Sequence, residues 1–209
     1  MNIRIKYLIT SVVVVAGLVS AVSVARSFNR PSSTGTDQAK SRGLADAPIE
    51  MVEYSDFQCP ACRVAREPIE KLRSQFPDQI RFQFRHYPLE RSHRWALAAA
   101  QFAECAAEQD KFWPYHDRLY DEQPNWANAP NALELFAKFA QEIGLDFEAL
   151  RVCASSTEVL NRIRNERSEG ERRGVQSTPT MFINGKPVVG SAQLEANGAQ
   201  LIRDALQKK

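Results

Sequence analysis

Cys59-Pro60-Ala61-Cys62 directly follows an apolar, strand-like run over residues 49–54 and opens a helix-like run from Arg63 onward. A strand that ends in Cys-x-x-Cys at a helix start is the local architecture of a thiol–disulfide redox site. The first turn of a helix leaves N–H groups without intrahelical partners, and the macrodipole places positive potential there. A thiolate is stabilised in that position, and the thiolate is the nucleophile of disulfide exchange. Three residues apart on a helical turn, the two sulfurs come within bonding distance. The motif therefore requires a strand, a turn and a helix in succession, and it points to an enzyme.

The elements around the motif continue the pattern. Residues 80–86 alternate apolar and polar side chains as a strand does, and Pro77-Asp78 supplies the turn before them. A helix over about 62–76 joins the two strands, with Pro68 inside it predicting a kink. Residues 49–86 thus form a β-α-β unit. From Ser92 to about Gly174 the spacing is helical throughout. Trp95, Ala98, Ala99, Phe102, Cys105 and Ala106 make one apolar stripe; Leu133, Phe136, Ala137, Ala140 and Ile143 make another. Gly144 marks a helix end, and Asp146 an N-cap for a short helix through Cys153. Residues 155–174 carry charges of both signs at helical spacing, which reads as a solvated face. Asn184-Gly185, between the apolar runs 180–183 and 186–189, is the strongest short-range hairpin signal. An amphipathic helix over about 193–208 closes the chain. The order β-α-β, helices, β-β-α is that of an α/β, thioredoxin-like fold with a helical insertion, about 92–174, between its two halves.

The 209 residues are 44% hydrophobic and 25% charged, ordinary for a globular domain. The first stretch differs. Arg4 and Lys6 precede 19 residues without a charge, which reads as a secretory signal peptide or an N-terminal membrane anchor over 1–25. Ser23-Val24-Ala25 offers small residues for cleavage, and the positive N-terminus predicts an exported, periplasmic or otherwise extracytoplasmic body. Residues 26–46, rich in Ser, Thr, Gly and charge, read as a flexible linker to a domain over 47–209. Without residues 1–25, 25 basic side chains balance 25 acidic ones, and no basic stripe argues for nucleic acid. All four cysteines lie in the exported body, where an oxidising compartment permits stable disulfides. Cys59 and Cys62 form one pair. Cys105 and Cys153, 48 positions apart in apolar helical patterns, are a second redox relay or a structural pair, and a structural disulfide is the expectation.

Tyr54-Ser55-Asp56-Phe57-Gln58-Cys59-Pro60-Ala61-Cys62 and Ser177-Thr178-Pro179-Thr180-Met181-Phe182-Ile183-Asn184-Gly185 together resemble the DsbA family of extracytoplasmic thiol–disulfide oxidoreductases, across nearly all of 47–209. The resemblance implies that Cys59 is the nucleophile and Cys62 the buried resolving cysteine. It implies a cis bond before Pro179, which packs beside the pair while the Thr178 backbone offers a strand-like edge to a substrate peptide. For Glu53, six residues before Cys59, it implies a buried carboxylate that helps move the proton of Cys62; a strand-edge charge facing water is the other reading. Pro60 and Ala61 complete the motif. Strong oxidants of the family carry histidine where Ala61 stands, a group that favours the reactive thiolate. Ala61 cannot do so, which bears on the reduction potential rather than on the reaction type.

The expected function is a monomeric, exported disulfide oxidoreductase. It would oxidise cysteine pairs in reduced or unfolded exported proteins through a Cys59–Cys62 redox disulfide. No cofactor or metal is called for, and re-oxidation by a membrane quinone-coupled thiol oxidase is implied by the resemblance. A disulfide isomerase or reductase is the alternative among enzymes. A metal-binding chaperone module is the remote one, since Cys59 and Cys62 fall short of the four ligands a structural zinc site needs. His86, His93 and His116 show no metal spacing and read as packing or surface residues; Trp113, Tyr115 and Tyr120 read as core. No Gly-rich phosphate loop, Gly-x-Ser-x-Gly elbow or His-Glu-x-x-His is present.

Overall fold

The computed structural model describes residues 34–207. The signal or anchor expected over 1–25 lies outside the described residues, among which no helix is long and apolar enough to cross a membrane. Helix α1 (Thr34–Ala39) and the short strand β1 (Ser41–Arg42) lead to β2 (Ile49–Ser55), α2 (Pro60–Gln75) and β3 (Ile80–His86). The insertion follows as α3 (Ala96–Ala107), α4 (Phe112–Asp121), α5 (Gln123–Trp126), α6 (Leu133–Glu142), α7 (Phe147–Ala154) and α8 (Thr157–Arg172). Strands β4 (Thr180–Ile183) and β5 (Lys186–Val189) and helix α9 (Gly190–Gln207) complete the chain. The sheet runs β1-β3-β2-β4-β5, with β2 and β3 parallel and the other pairs antiparallel. A parallel pair needs a crossover, and α2 supplies it. At the β4–β5 turn Asn184 (φ 45°) and Gly185 (φ 79°) both adopt the left-handed backbone that a two-residue hairpin of this twist demands.

Alternation along β2 sends its residues to two covered faces. Ile49 and Met51 pack with Ala65, Ile69 and Leu72 of α2 and with Leu194 and Ile202 of α9. Val52 and Tyr54 meet Tyr87, Val175 and Phe182 on the other side. Each such side chain contributes about 1.5–3 kcal/mol when fully buried. Gly170 lets α8 come down on that second face: a Cβ there would lie 2.8 Å from the Tyr54 ring and 2.9 Å from that of Tyr87. The insertion has its own core around Ala99, Ala103, Tyr115, Leu119, Trp126 and Phe136, continuous with Phe57 and Phe84. A Cys105–Cys153 disulfide joins α3 to α7 (Cα–Cα 5.8 Å). Gly144 (φ 73°) follows α6, and the Asp146 side chain caps α7 by accepting the Ala149 N–H at 3.0 Å.

Several expectations are corrected. The flexible linker read over 26–46 is folded from Thr34 onward: β1 pairs with β3, and Lys40 is 1% exposed. Composition counts a lysine as solvated, but here two carboxylates from distant helices accept its charge, Glu104 (2.6 Å) and Glu166 (2.5 Å). For the same reason the charged run 155–174 is not wholly a solvated face. Glu166 is buried, and Arg162 Nε donates to the fully buried Glu104 at 2.9 Å. Helix α2 begins at Pro60, two residues earlier than expected, and α9 starts three residues earlier than its apolar pattern indicates.

Candidate active site

Strand β2 delivers the site. Ser55 leads into the turn Asp56-Phe57-Gln58, and Cys59 caps α2 with extended backbone (φ −74°, ψ 121°). Pro60 takes the first turn of the helix, where a missing N–H costs no hydrogen bond. The Cys59 N–H donates to Asp56 O (3.0 Å) and the Cys62 N–H to Cys59 O (3.1 Å). Gln123 of α5 clamps this turn from outside, its amide donating to Phe57 O (2.7 Å) and Cys59 O (3.0 Å). Both cysteines are free thiols; Cys59 keeps an 8% exposed edge whereas Cys62 is sealed at 0%.

Across from Cys59 stands the Thr178–Pro179 peptide, which is cis. The Cys59 thiol lies 3.4 Å from the Thr178 carbonyl oxygen, and Thr178 Oγ1 is buried without a partner among the described residues. Pro179 O accepts the Gly190 N–H at 2.8 Å, which ties this turn to the start of α9.

Two thiols so placed do not titrate alike. Cys59 is pulled down to about 5, first by the hydrogen bond from the Cys62 thiol and further by Thr178 and the N–H groups of Cys62 and Ala61, against the opposing effect of burial. Cys62 is pushed well above an ordinary thiol, chiefly by burial and then by its neighbour Cys59. The pair favours one thiolate, at the accessible edge.

Glu53, on β2, is 3% exposed. Ser55 Oγ donates to Glu53 Oε1 (2.8 Å) and shares a hydrogen bond with Tyr120 Oη (2.9 Å). Burial pushes the Glu53 carboxyl up to about 7; the Ser55 hydrogen bond pulls the other way, and negative charge on Cys59 adds to the rise. Ionised Glu53 in turn raises Cys62. Glu53 also lines a groove of about 620 Å³ walled by Arg66 and Ile69 of α2 and by Trp113, His116 and Asp117 of α4. The carboxyl is therefore coupled to Cys62, and its residue borders the groove.

The fold gathers Glu53, Cys59, Pro60, Ala61, Cys62, Thr178 and Pro179 into one site. Cys105 and Cys153 stand apart from it in the insertion, joined to each other by a disulfide. His86 and His116 are buried among Phe57, Phe84 and Phe112. His93 differs: its Nδ1 lies 2.7 Å from Asp56 Oδ2. The sequence pattern missed Asp56, Gln123 and the Tyr120 hydroxyl. Asp56 left a faint signal, an Asx-type turn in which its Oδ1 accepts the Gln58 N–H (2.7 Å). Tyr120 does pack in the core, but nothing in a helical stripe reveals that its hydroxyl meets Ser55, 65 positions away.

Residues 35–202 match the family described as Thioredoxin. The crystal structure of alpha-DsbA1 from Wolbachia pipientis has the same fold, with a TM-score of 0.71 at 23% identity over 87% of this chain and 98% of that one. Oxidised BdbD from Bacillus subtilis gives a TM-score of 0.73 at 22% identity over 84% and 95%. Among curated proteins, the Na(+)/H(+) antiporter NhaA 1 of Mycolicibacterium vanbaalenii is 37% identical over 153 residues, which are 71% of this chain and 24% of that protein. NhaA 3 of Salinispora tropica is 32% identical over 79% of this chain and 24% of its own length. The chain thus spans about a quarter of the length of the curated relatives it matches. With the family matched over nearly all of the described residues, the chain belongs to the thioredoxin family, and its fold is like that of the alpha-DsbA1 and BdbD structures.

Proposed function

We propose that this protein is an extracytoplasmic thiol–disulfide oxidoreductase that oxidises cysteine pairs in exported proteins. The observation that carries this reading is the split between the two thiols. Cys59, pulled down to about 5, sits at an accessible edge beside the Thr178 carbonyl; Cys62 is sealed behind it and pushed up. In the oxidised chain a substrate thiolate attacks Cys59 Sγ, and the Cys59–Cys62 bond breaks with its electron pair leaving on Cys62. The Glu53 carboxyl, protonated up to about pH 7, gives its proton to Cys62 and regains one from water through the groove. The mixed disulfide is held along the Thr178 edge. A second substrate thiolate then attacks the substrate sulfur and expels Cys59 as the thiolate. Two electrons have passed from the substrate to the chain; of the two protons released, one resides on Cys62 and one is in water. Stabilising the Cys59 thiolate favours the reduced chain, and so favours net oxidation of the substrate. Residues 1–25 direct export, cleaved or kept as an anchor, and a membrane quinone-coupled thiol oxidase restores the disulfide.

The test is a trap. In cells making the Cys62→Ala variant, mixed disulfides between Cys59 and exported proteins accumulate, and they disappear when Cys59→Ser is added. An empty trap overturns the reading. Purified protein that reshuffles a scrambled substrate efficiently, while oxidising a reduced one poorly, assigns the site to isomerisation instead.

A further inference from the structure

We propose that His93, held by Asp56 beside the start of α2, is a positioning residue for the thiol chemistry: its imidazolium offsets the Asp56 carboxylate and favours the Cys59 thiolate, a part that Ala61 does not play. The proposal rests on the exchange reading above and deepens it.

Asp56 is 1% exposed and stands three residues before Cys59. Its backbone oxygen accepts the Cys59 N–H, so its carboxylate is fixed relative to the thiol. That carboxylate accepts the Gln58 N–H at Oδ1 (2.7 Å) and, at Oδ2, the Leu89 N–H (2.8 Å) and His93 Nδ1 (2.7 Å). A buried negative charge in the turn before Cys59 opposes a second one on the sulfur. Two of its three partners are neutral amides. Only His93 brings a full positive charge, and its side chain is 20% exposed, enough to exchange a proton with solvent.

The turn that carries His93 is fastened to the motif. The Trp95 N–H donates to Gln58 Oε1 (2.6 Å), and the Gln58 amide donates to Ala127 O (2.7 Å). From the packed segment, the titratable groups that act on His93 are Asp56 and Cys59. On its own loop, Arg94 is turned onto the Trp95 ring (4.6 Å) and Glu90 pairs with Arg167 of α8 (3.4 Å). Residues 126–130, against which Gln58 and Trp95 rest, carry no titratable side chain. In keeping with this, His93 is raised above an ordinary histidine by its Asp56 hydrogen bond, against burial, with the charges of Asp56 and Cys59 adding to the rise. It is thus charged across the range in which Cys59 ionises.

The coupling is reciprocal, so it can be read from either partner. In the intact wild-type protein, an NMR titration of the His93 ring gives a pKa higher by about half a unit to one unit in the dithiol than in the disulfide state. His93→Gln raises the Cys59 pKa correspondingly, and alkylation of Cys59 near pH 5 slows roughly twofold to fivefold. A histidine that only packs titrates identically in both redox states, and that result overturns the proposal without any variant that could misfold. If wild type fails to oxidise substrate thiols while His93 still senses the redox state, the exchange reading fails and the coupling stands. If substrate is oxidised while His93 is blind to the redox state, the proposal alone fails.

Discussion

Glu53 in the thiol site and Glu104 in α3 are buried to nearly the same depth, 3% and 0% exposed. Glu104 accepts from Lys40 Nζ (2.6 Å) and Arg162 Nε (2.9 Å), and His86 Nε2 lies 3.2 Å away. Glu166 shares Lys40 and accepts the His86 N–H at 2.6 Å. Burial would raise Glu104, but Lys40 and His86 outweigh it and hold the carboxyl well below the usual range. Glu53 has a hydroxyl for a hydrogen-bond partner and Arg66 only as a charge acting through space, so burial wins and the carboxyl rises to about 7. The same side chain at the same depth is a fixed anion in one place and a carboxyl raised to about 7 in the other. A complete set of counter-charges fastens the N-terminal arm to the insertion; an incomplete one leaves a group that exchanges its proton near neutrality.

Glu104→Gln puts this contrast under the greatest load. It leaves the buried Lys40 with Glu166 alone, and the partly exposed Arg162 against a neutral amide, and urea unfolding at neutral pH should show a loss of up to about 3 kcal/mol. Because the folded pKa of Glu104 is depressed, its contribution is present above 4.5 and is lost as pH falls through the folded value. The two proteins therefore converge in acid.

Glu53→Gln should have the opposite sign. A carboxyl raised from 4.5 to about 7 contributes stability that is fully present below 4.5 and lost as pH rises through 7. The variant is then more stable than wild type by up to about 3 kcal/mol above pH 8, is indistinguishable from it near pH 4, and exchanges thiols more slowly. Destabilisation by both variants at pH 8 would break the comparison.

Ser55→Ala is the finer probe. It removes the hydrogen bond that opposes burial, so the Glu53 limb of the exchange pH–rate profile moves to higher pH by less than about one unit. Stability should change by about 1 kcal/mol or less.

The local parts were legible because each rests on a short-range rule. Cys59 at a helix start, the alternation of residues 80–86 and the Asn184-Gly185 turn need only their neighbours in the chain to be read. The strand face of Glu53 was also readable from period two, although whether that face meets water or a helix was not. Lys40 was misread because a burial cost met by Glu104 and Glu166, 64 and 126 positions away, leaves no local trace. His93 was set aside as packing or surface because its partner lies 37 positions back, across a strand and a helix.

Sequence alone decided the chemistry: two sulfurs on one helical turn, a strand to carry them, and a hairpin after Thr178-Pro179. Those features depend on backbone geometry over a few residues, which side-chain identity dictates directly. Tertiary structure decided the electrostatics. Which buried charge is matched, which carboxyl keeps a proton, and what stands beside Cys59 in the absence of a motif histidine all depend on groups brought together from remote segments. Such interactions strengthen as water is excluded, and only the packed fold excludes it.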